Sequence, residues 1–294
     1  MNNLLEINKL NKKFGNNIIL ENVSFAIKPG EIVGLIGRNG VGKTTLMKSI
    51  LGLVQIDSGE IIFDGESKFQ NNKLKMDEIG YLLDCKLYEN MNAYDNIKIQ
   101  EMYRCKYYNK NEEKKIIEEI LEFVDLTNNR KKVKQYSFGM KQRLGLALAL
   151  LGDKKLLILD EPFVGLDPIG IQVIKEFIVK LCKERKIAVL ISSHQLSELE
   201  NICDKFFVIS NKKLIDYDYD EKRKIIIYTK ESTNNIFKKD FNELIDFDEK
   251  KISFWFEEGL FNLTLKILIN NNIFIENIEI QKNSLEALFE GEII

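Results

Sequence analysis

The sequence lacks an excess of charge of either sign. Across 294 residues, 43 Lys and Arg stand against 45 Asp and Glu, a net charge of −2. No broad attraction to phosphate backbones follows from that balance, and nucleic acid is not expected as a partner. Long apolar runs are also missing: Leu144–Leu151 and Leu156–Leu159 are separated by Gly152, Asp153, Lys154 and Lys155, and each falls far short of the ~20 residues a membrane span needs. The opening residues, Met1-Asn2-Asn3-Leu4-Leu5-Glu6, hold no basic segment followed by an apolar one, so no export signal is read and a cytoplasmic location is expected. Cysteine is sparse. Cys85, Cys105, Cys182 and Cys203 include no CxxC pair, which argues against a zinc module or a disulfide framework and for scattered reduced thiols. There is one histidine, His194, and one tryptophan, Trp255.

What is present suffices for a folded core. Hydrophobic residues make up 45% and charged residues 30%, a globular composition at a length that suits one large domain with a smaller companion. Short runs rich in Ile, Leu and Val predict strands over Leu5–Leu10, Val23–Lys28, Glu31–Ile36 and Glu60–Phe63, with Pro29-Gly30 read as a hairpin-type turn. From Ala93 to about Ala149 the pattern turns helical, with Ile116, Ile117, Ile120, Leu121 and Val124 on one face. Strand Leu156–Leu159, helix Ile169–Lys183 and strand Ile187–Ser192 then give the alternation of a parallel α/β sheet. The charged run Asp216–Arg223 reads as a linker, so the boundary is placed between 1–215 and 216–294. The tail alternates strand-like Lys224–Thr229, Ile252–Phe256 and Ile273–Ile280 with helical Leu260–Ile269 and Ser284–Phe289, a small α/β pattern in which Trp255 is expected opposite Phe254 and Phe256.

Two motifs carry chemistry. Gly37-Arg38-Asn39-Gly40-Val41-Gly42-Lys43-Thr44 matches GxxxxGK[ST], follows a strand, and leads through Thr45 into helix-compatible residues. Small residues let backbone N–H groups turn toward nucleotide phosphates, the helix start adds its dipole, Lys43 supplies a point charge, and the Thr44 hydroxyl suits Mg²⁺. The second motif, Leu156-Leu157-Ile158-Leu159-Asp160-Glu161-Pro162, is an apolar strand ending in two carboxylates. Asp160 is suited to hold Mg²⁺ through water, and Glu161 to polarise an attacking water.

The residues between and around these motifs resemble the ATP-binding cassette (ABC) ATPases. Tyr136-Ser137-Phe138-Gly139-Met140-Lys141-Gln142-Arg143-Leu144 is similar to the family's signature segment. Ile79–Asp84 stands at the Q-loop, Gly165-Leu166-Asp167 at the D-loop, and Ser192-Ser193-His194 at the switch-histidine loop. The order matches across about residues 4–210. The resemblance implies a P-loop NTPase cassette: a parallel sheet core, an antiparallel β subdomain and a helical subdomain at about 84–150, followed by the small C-terminal α/β domain. It implies that ATP is sandwiched between one phosphate loop and the signature of a second cassette, so that Ser137 and Gly139 act in trans. It also implies that His194 senses the γ-phosphate, that Phe14 stacks on adenine, that Asp167 belongs to the nucleotide site, and that Asp84 helps to bind Mg²⁺.

Two departures point to a subgroup. The Q-loop glutamine position holds Asp84, a carboxylate that is shorter and charged, and the signature reads Tyr-Ser-Phe-Gly-Met. Both features, with the tail segment Asn283–Phe289, resemble the ATPases of bacitracin- and lantibiotic-resistance exporters. The implied function is the ATPase subunit of an exporter, paired with a second copy or a related cassette and peripheral on the cytoplasmic face of the membrane through a separate permease. The alternatives are a cassette that works a membrane protein without transport, and a non-transport ATPase acting on ribosomes or DNA. The single short cassette and the near-neutral charge weigh against the last.

Overall fold

The computed structural model describes residues 3–83, 86–104, 110–127, 129–217, 223–233, 246–248 and 250–282. The chain divides into two compact units, Met1–Asp218 and Tyr219–Ile294.

In the first unit, β1 (Leu5–Phe14), β2 (Asn17–Ile27) and β4 (Ser58–Phe63) form an antiparallel sheet in the order β2-β1-β4. The tight turn at Gly15-Asn16 pairs Phe14 with Asn17, so the hairpin lies here and not at Pro29-Gly30. The expectation of a hairpin at Pro29-Gly30 fails because β2 and β3 (Ile32–Ile36) belong to different sheets. All five residues of β3 are buried, which only a strand covered on both faces allows. The turn there is a crossing between sheets.

The second sheet has the order β5-β6-β7-β3-β8-β9, from β5 (Ile79–Leu82), β6 (Leu156–Leu159), β7 (Ala188–Ser193), β3, β8 (Lys205–Ser210) and β9 (Lys213–Tyr217). The first five run parallel, and β9 returns antiparallel along β8. Helix α1 (Lys43–Ile50) follows β3, and short α2 (Lys73–Asp77) precedes β5. The four side chains of β6 are fully buried, each worth about 1.5–3 kcal/mol of burial, which fixes the strand that presents Asp160 and Glu161.

The helical segment consists of α3 (Ala93–Arg104), α4 (Lys110–Phe123) and α5 (Phe138–Ala149). Ile97, Ile117, Leu121, Val124, Leu144 and Ala147 share its core, in line with the apolar face read from the sequence. The C-terminal end of α5 packs on β5 so closely that a Cβ at Gly80 would lie 2.0 Å from the Ala149 carbonyl oxygen. The last two helices of the unit are α6 (Pro168–Arg185) and α7 (Leu196–Leu199).

The second unit contains β10 (Arg223–Thr229), β11 (Asp246–Asp248), β12 (Lys251–Trp255), α8 (Glu258–Asn270) and β13 (Ile275–Lys282). The strands pair antiparallel in the order β11-β12-β10-β13. Leu268 of α8 packs with Ile225, Ile227, Ile252 and Phe254. Trp255 faces away from buried Phe254, as alternation requires. Phe256 lies beyond the strand, which ends at Trp255, and its half-exposed ring stands 5.9 Å from that of Phe261. The expected helix Ser284–Phe289 lies outside the described residues.

Candidate functional site

β3, β6 and β7 are parallel, with β7 between the other two. Their C-terminal ends therefore deliver three loops to one edge of the sheet, the place where open α/β sheets collect ligands. β3 delivers Gly37–Thr44, β6 delivers Asp160-Glu161, and β7 delivers Ser192-Ser193-His194.

The phosphate loop turns directly into α1. Gly42, at the helix N-cap, has φ 118°, a conformation L side chains rarely adopt, and a Cβ there would also meet Ile19 at 3.0 Å. Arg38, Asn39 and Gly40 are exposed at the loop tip, Val41, Thr44 and Thr45 are half-buried, and Gly37 is buried beneath it. Lys43 is 5% exposed, and its ammonium donates to the Gly37 carbonyl at 2.6 Å and the Arg38 carbonyl at 3.4 Å.

The carboxylates meet this loop. Thr44 Oγ1 donates to Asp160 Oδ2 at 2.5 Å, and Ser192 Oγ donates to Asp160 Oδ1 at 2.6 Å. Glu161 Oε1 lies 3.0 Å from Lys43 Nζ, while its Oε2 lies 2.8 Å from His194 Nδ1. Gln195 Nε2 stands 3.2 Å from His194 Nε2. With that amide donating, the ring proton sits on Nδ1 and points at Glu161. Glu161 has φ 48°, a left-handed backbone that costs on the order of 1–3 kcal/mol in a non-glycine residue and persists only where its surroundings hold it. Lys43, Thr44, Asp160, Glu161 and His194 thus converge, although they come from three separate parts of the chain.

The arrangement offers an ammonium and a turn of backbone N–H groups for phosphate oxygens, and a carboxylate held between a cation and an imidazole for a proton. The hydroxyl and carboxylate oxygens of Thr44 and Asp160 are hard donors, few in number, and this fits Mg²⁺, which takes one or two protein ligands and completes its shell with water and phosphate.

Ser137, Gly139 and Asp167 gather elsewhere in the unit. A cavity of about 450 Å³ is lined by Ser137, Gly139, Arg143, Gly165, Leu166 and Asp167 among others, and no phosphate-loop residue lines it. Ser137 caps α5, accepting from Met140 N at 3.3 Å, and Asp167 caps α6, accepting from Gly170 N at 2.8 Å. Leu166 and the Phe138 ring close the hollow against Gly139 and Gly165. Phe14 is 52% exposed at the β1–β2 turn with the Lys12 ammonium 4.7 Å from its ring centre, so it is not a core aromatic. Asp84 and Cys85 lie outside the described residues. The sequence drew attention to Ser192 only as part of Ser-Ser-His and to Gln195 not at all. A polar pair at the end of an apolar strand is the signal that marks such positions.

Comparison with known proteins agrees with this architecture. The ABC transporter family matches residues 20–164. The bacitracin transport ATP-binding protein BcrA of Bacillus licheniformis is 40% identical over 228 residues, covering 76% of this chain and 73% of the relative. The lantibiotic transport ATP-binding protein SrtF of Streptococcus pyogenes is 41% identical over 219 residues, 74% of this chain and 92% of the relative. Among solved structures, cbiO1 of Clostridium perfringens, part of the ABC transporter complex cbiONQ, superposes with a TM-score of 0.66 at 29% identity, over 73% of this chain and 88% of its own. No helix among the described residues is long and apolar enough to cross a membrane. The chain belongs to the ABC transporter family and is one of its ATP-binding, ATP-hydrolysing subunits.

Proposed function

We propose that the chain powers an exporter of peptide antibiotics, drugs or similar compounds, by hydrolysing ATP held between two cassettes and passing the resulting motion to a separate permease. The observation that carries this reading is the split of the site. The phosphate-handling cluster and the Ser137–Gly139 hollow are separate on one chain, with no phosphate-loop residue lining the hollow, which supports a composite site shared between two copies.

Within the cluster, Lys43 and the loop Gly37–Thr45 bind the β- and γ-phosphates, and Phe14 stacks on adenine. Thr44, Asp160 and Asp84 would hold Mg²⁺, which would neutralise charge on the phosphate oxygens. Glu161 accepts a proton from the water whose oxygen bonds to the γ-phosphorus as the bridging bond to the β-phosphate breaks. His194 fixes the Glu161 carboxylate and meets the γ-phosphate. Ser137 and Gly139 at the start of α5 complete the site of the second copy, with Asp167 beside them. The chain itself would sit on the cytoplasmic face of the membrane, held there by the permease. Both relatives named for transport of antibiotic peptides support the exporter class.

The test is isolation of the tagged chain from native membranes in mild detergent, with mass spectrometry of what stays bound. A multi-span membrane protein in stoichiometric amount is expected, and cells that lose it should become sensitive to a peptide antibiotic. Ribosomal or DNA-bound partners without a membrane protein would overturn the reading.

A further inference from the structure

We propose that Ser192 is a positioning residue that sets the Asp160 carboxylate and the Glu161 backbone for MgATP; this rests on the roles given to Asp160 and Glu161 above. Ser192 is the last residue but one of β7 and has no exposed surface. Its single hydroxyl proton goes to Asp160 Oδ1 at 2.6 Å, so its oxygen is free to accept, and it takes the Glu161 N–H at 2.9 Å. One side chain thus holds two consecutive residues of the neighbouring strand end, by two bonds whose directions are both fixed.

Each bond has a consequence at the site. With Oδ1 anchored below, the Asp160 carboxylate cannot rotate, and Oδ2 is left facing the Thr44 hydroxyl at 2.5 Å. With its N–H anchored, Glu161 is kept at φ 48°, where its carboxylate reaches both Lys43 and His194. A strand alternates its side chains, and the adjacent Ser193 turns the other way, donating to Glu198 and accepting from Gln195 N at 2.9 Å. The two serines of the motif therefore have separate tasks. Without the Ser192 hydroxyl, Asp160 Oδ1 and the Glu161 N–H would both lose a partner, and the carboxylate and the left-handed peptide would be free to relax.

The test compares the full chain with Ser192→Ala, Ser192→Cys and Ser192→Thr. Calorimetry measures ATP affinity with and without Mg²⁺, and steady-state hydrolysis gives kcat and KM. Removing a group that orients a metal ligand typically costs about 10–100-fold. Ser192→Ala should therefore lose about tenfold or more of the affinity gained on adding Mg²⁺, and kcat should fall by a similar factor with a smaller change in KM. Its Mg²⁺-free ATP affinity should stay close to that of the parent. Ser192→Thr, which keeps the hydroxyl, should keep both the gain and the turnover. Ser192→Cys keeps the volume with a weak donor, should behave like Ala, and replaces it if Ala does not fold. The inference is overturned if the Ala or Cys variant matches the parent, if Mg²⁺-free affinity falls as far as Mg²⁺-dependent affinity, or if Thr fails to rescue. A parent chain that gains no ATP affinity from Mg²⁺ would instead remove the metal role of Asp160 itself, and this inference with it.

Discussion

Glu161 occupies the point where a cation, an imidazole and a strained peptide meet: its carboxylate bridges Lys43 and His194 while its backbone stays left-handed. Replacing it with Gln retains the shape but removes the carboxylate proposed to accept the proton. Glu161→Gln should bind ATP as the parent does while kcat drops by about 10²–10⁴-fold, and size-exclusion chromatography with ATP should show an accumulated dimer. A monomeric, normally active variant would remove Glu161 from catalysis. Lys43 has a different duty. Its ammonium is almost wholly buried against the Gly37 and Arg38 carbonyls, and the role proposed for it is to supply charge for phosphate. Lys43→Ala should lose at least about tenfold in ATP affinity by calorimetry; unchanged binding would take Lys43 out of the site.

At the scale of elements, ion pairs join α3 to α2, and α2 to residues flanking β4 and β6. Arg104 at the end of α3 is 8% exposed at its side chain, grips Asp77 of α2 through Nε and Nη2, both at 2.8 Å, and reaches Glu101 at 2.6 Å. Asp77 would keep the Lys154 ammonium at 3.7 Å, but Glu101 is 5% exposed, and removing one partner of such a buried pair leaves uncompensated charge and typically costs about 3–5 kcal/mol. Arg104→Ala should lower the melting temperature by several degrees, and Arg104→Lys should not restore it, because an ammonium cannot make the forked contact. Asp64, in the turn after β4, joins that strand to α2 and β6 through Lys75 and Lys155. Hydrogen bonds from Lys155 and then Lys75 hold its carboxyl below the usual aspartate value. A carboxyl depressed on folding stabilises the chain above its unfolded pKa, near about 3.9, and that contribution is lost as pH falls through the lower folded-state value. Asp64 is 38% exposed at its side chain, so the contribution is screened to roughly 0–1 kcal/mol. Asp64→Asn should melt slightly below the parent at pH 7, and the difference should close as the pH is taken below that of an ordinary aspartate. A gap that widens in acid would refute this account.

At the scale of the whole molecule, the proposed sharing of the site between two copies makes a prediction of its own. Lys43→Ala breaks one half, and Ser137→Arg, which fills the hollow at the start of α5, breaks the other. Each variant alone should have lost hydrolysis. Mixed, they should recover part of it, because a mixed dimer contains one composite site with neither defect. Recovery absent from a mixture that demonstrably forms mixed dimers would argue against a site shared between copies. The second unit has a core of its own, built from Ile225, Ile227, Ile252, Phe254 and Leu268, and none of these variants changes a residue of it.

The sequence by itself determined the phosphate loop, the carboxylates at the end of β6 and the apolar strands beneath them, because glycine spacing, a lone Lys-Thr pair and unbroken Leu-Ile runs constrain the backbone locally. It also determined the helical face of Ile117, Leu121 and Val124, since a 3.6-residue period is written in neighbouring positions. The tertiary structure decided what depends on partners far along the chain. It turned Pro29-Gly30 into a crossing between sheets, because strand pairing is set by burial on both faces of β3. It ended β12 before Phe256, where the chain turns into α8. It placed Ser192 against Asp160 and Glu161, 32 and 31 positions away, a contact that no local pattern encodes because it exists only when β6 and β7 lie side by side.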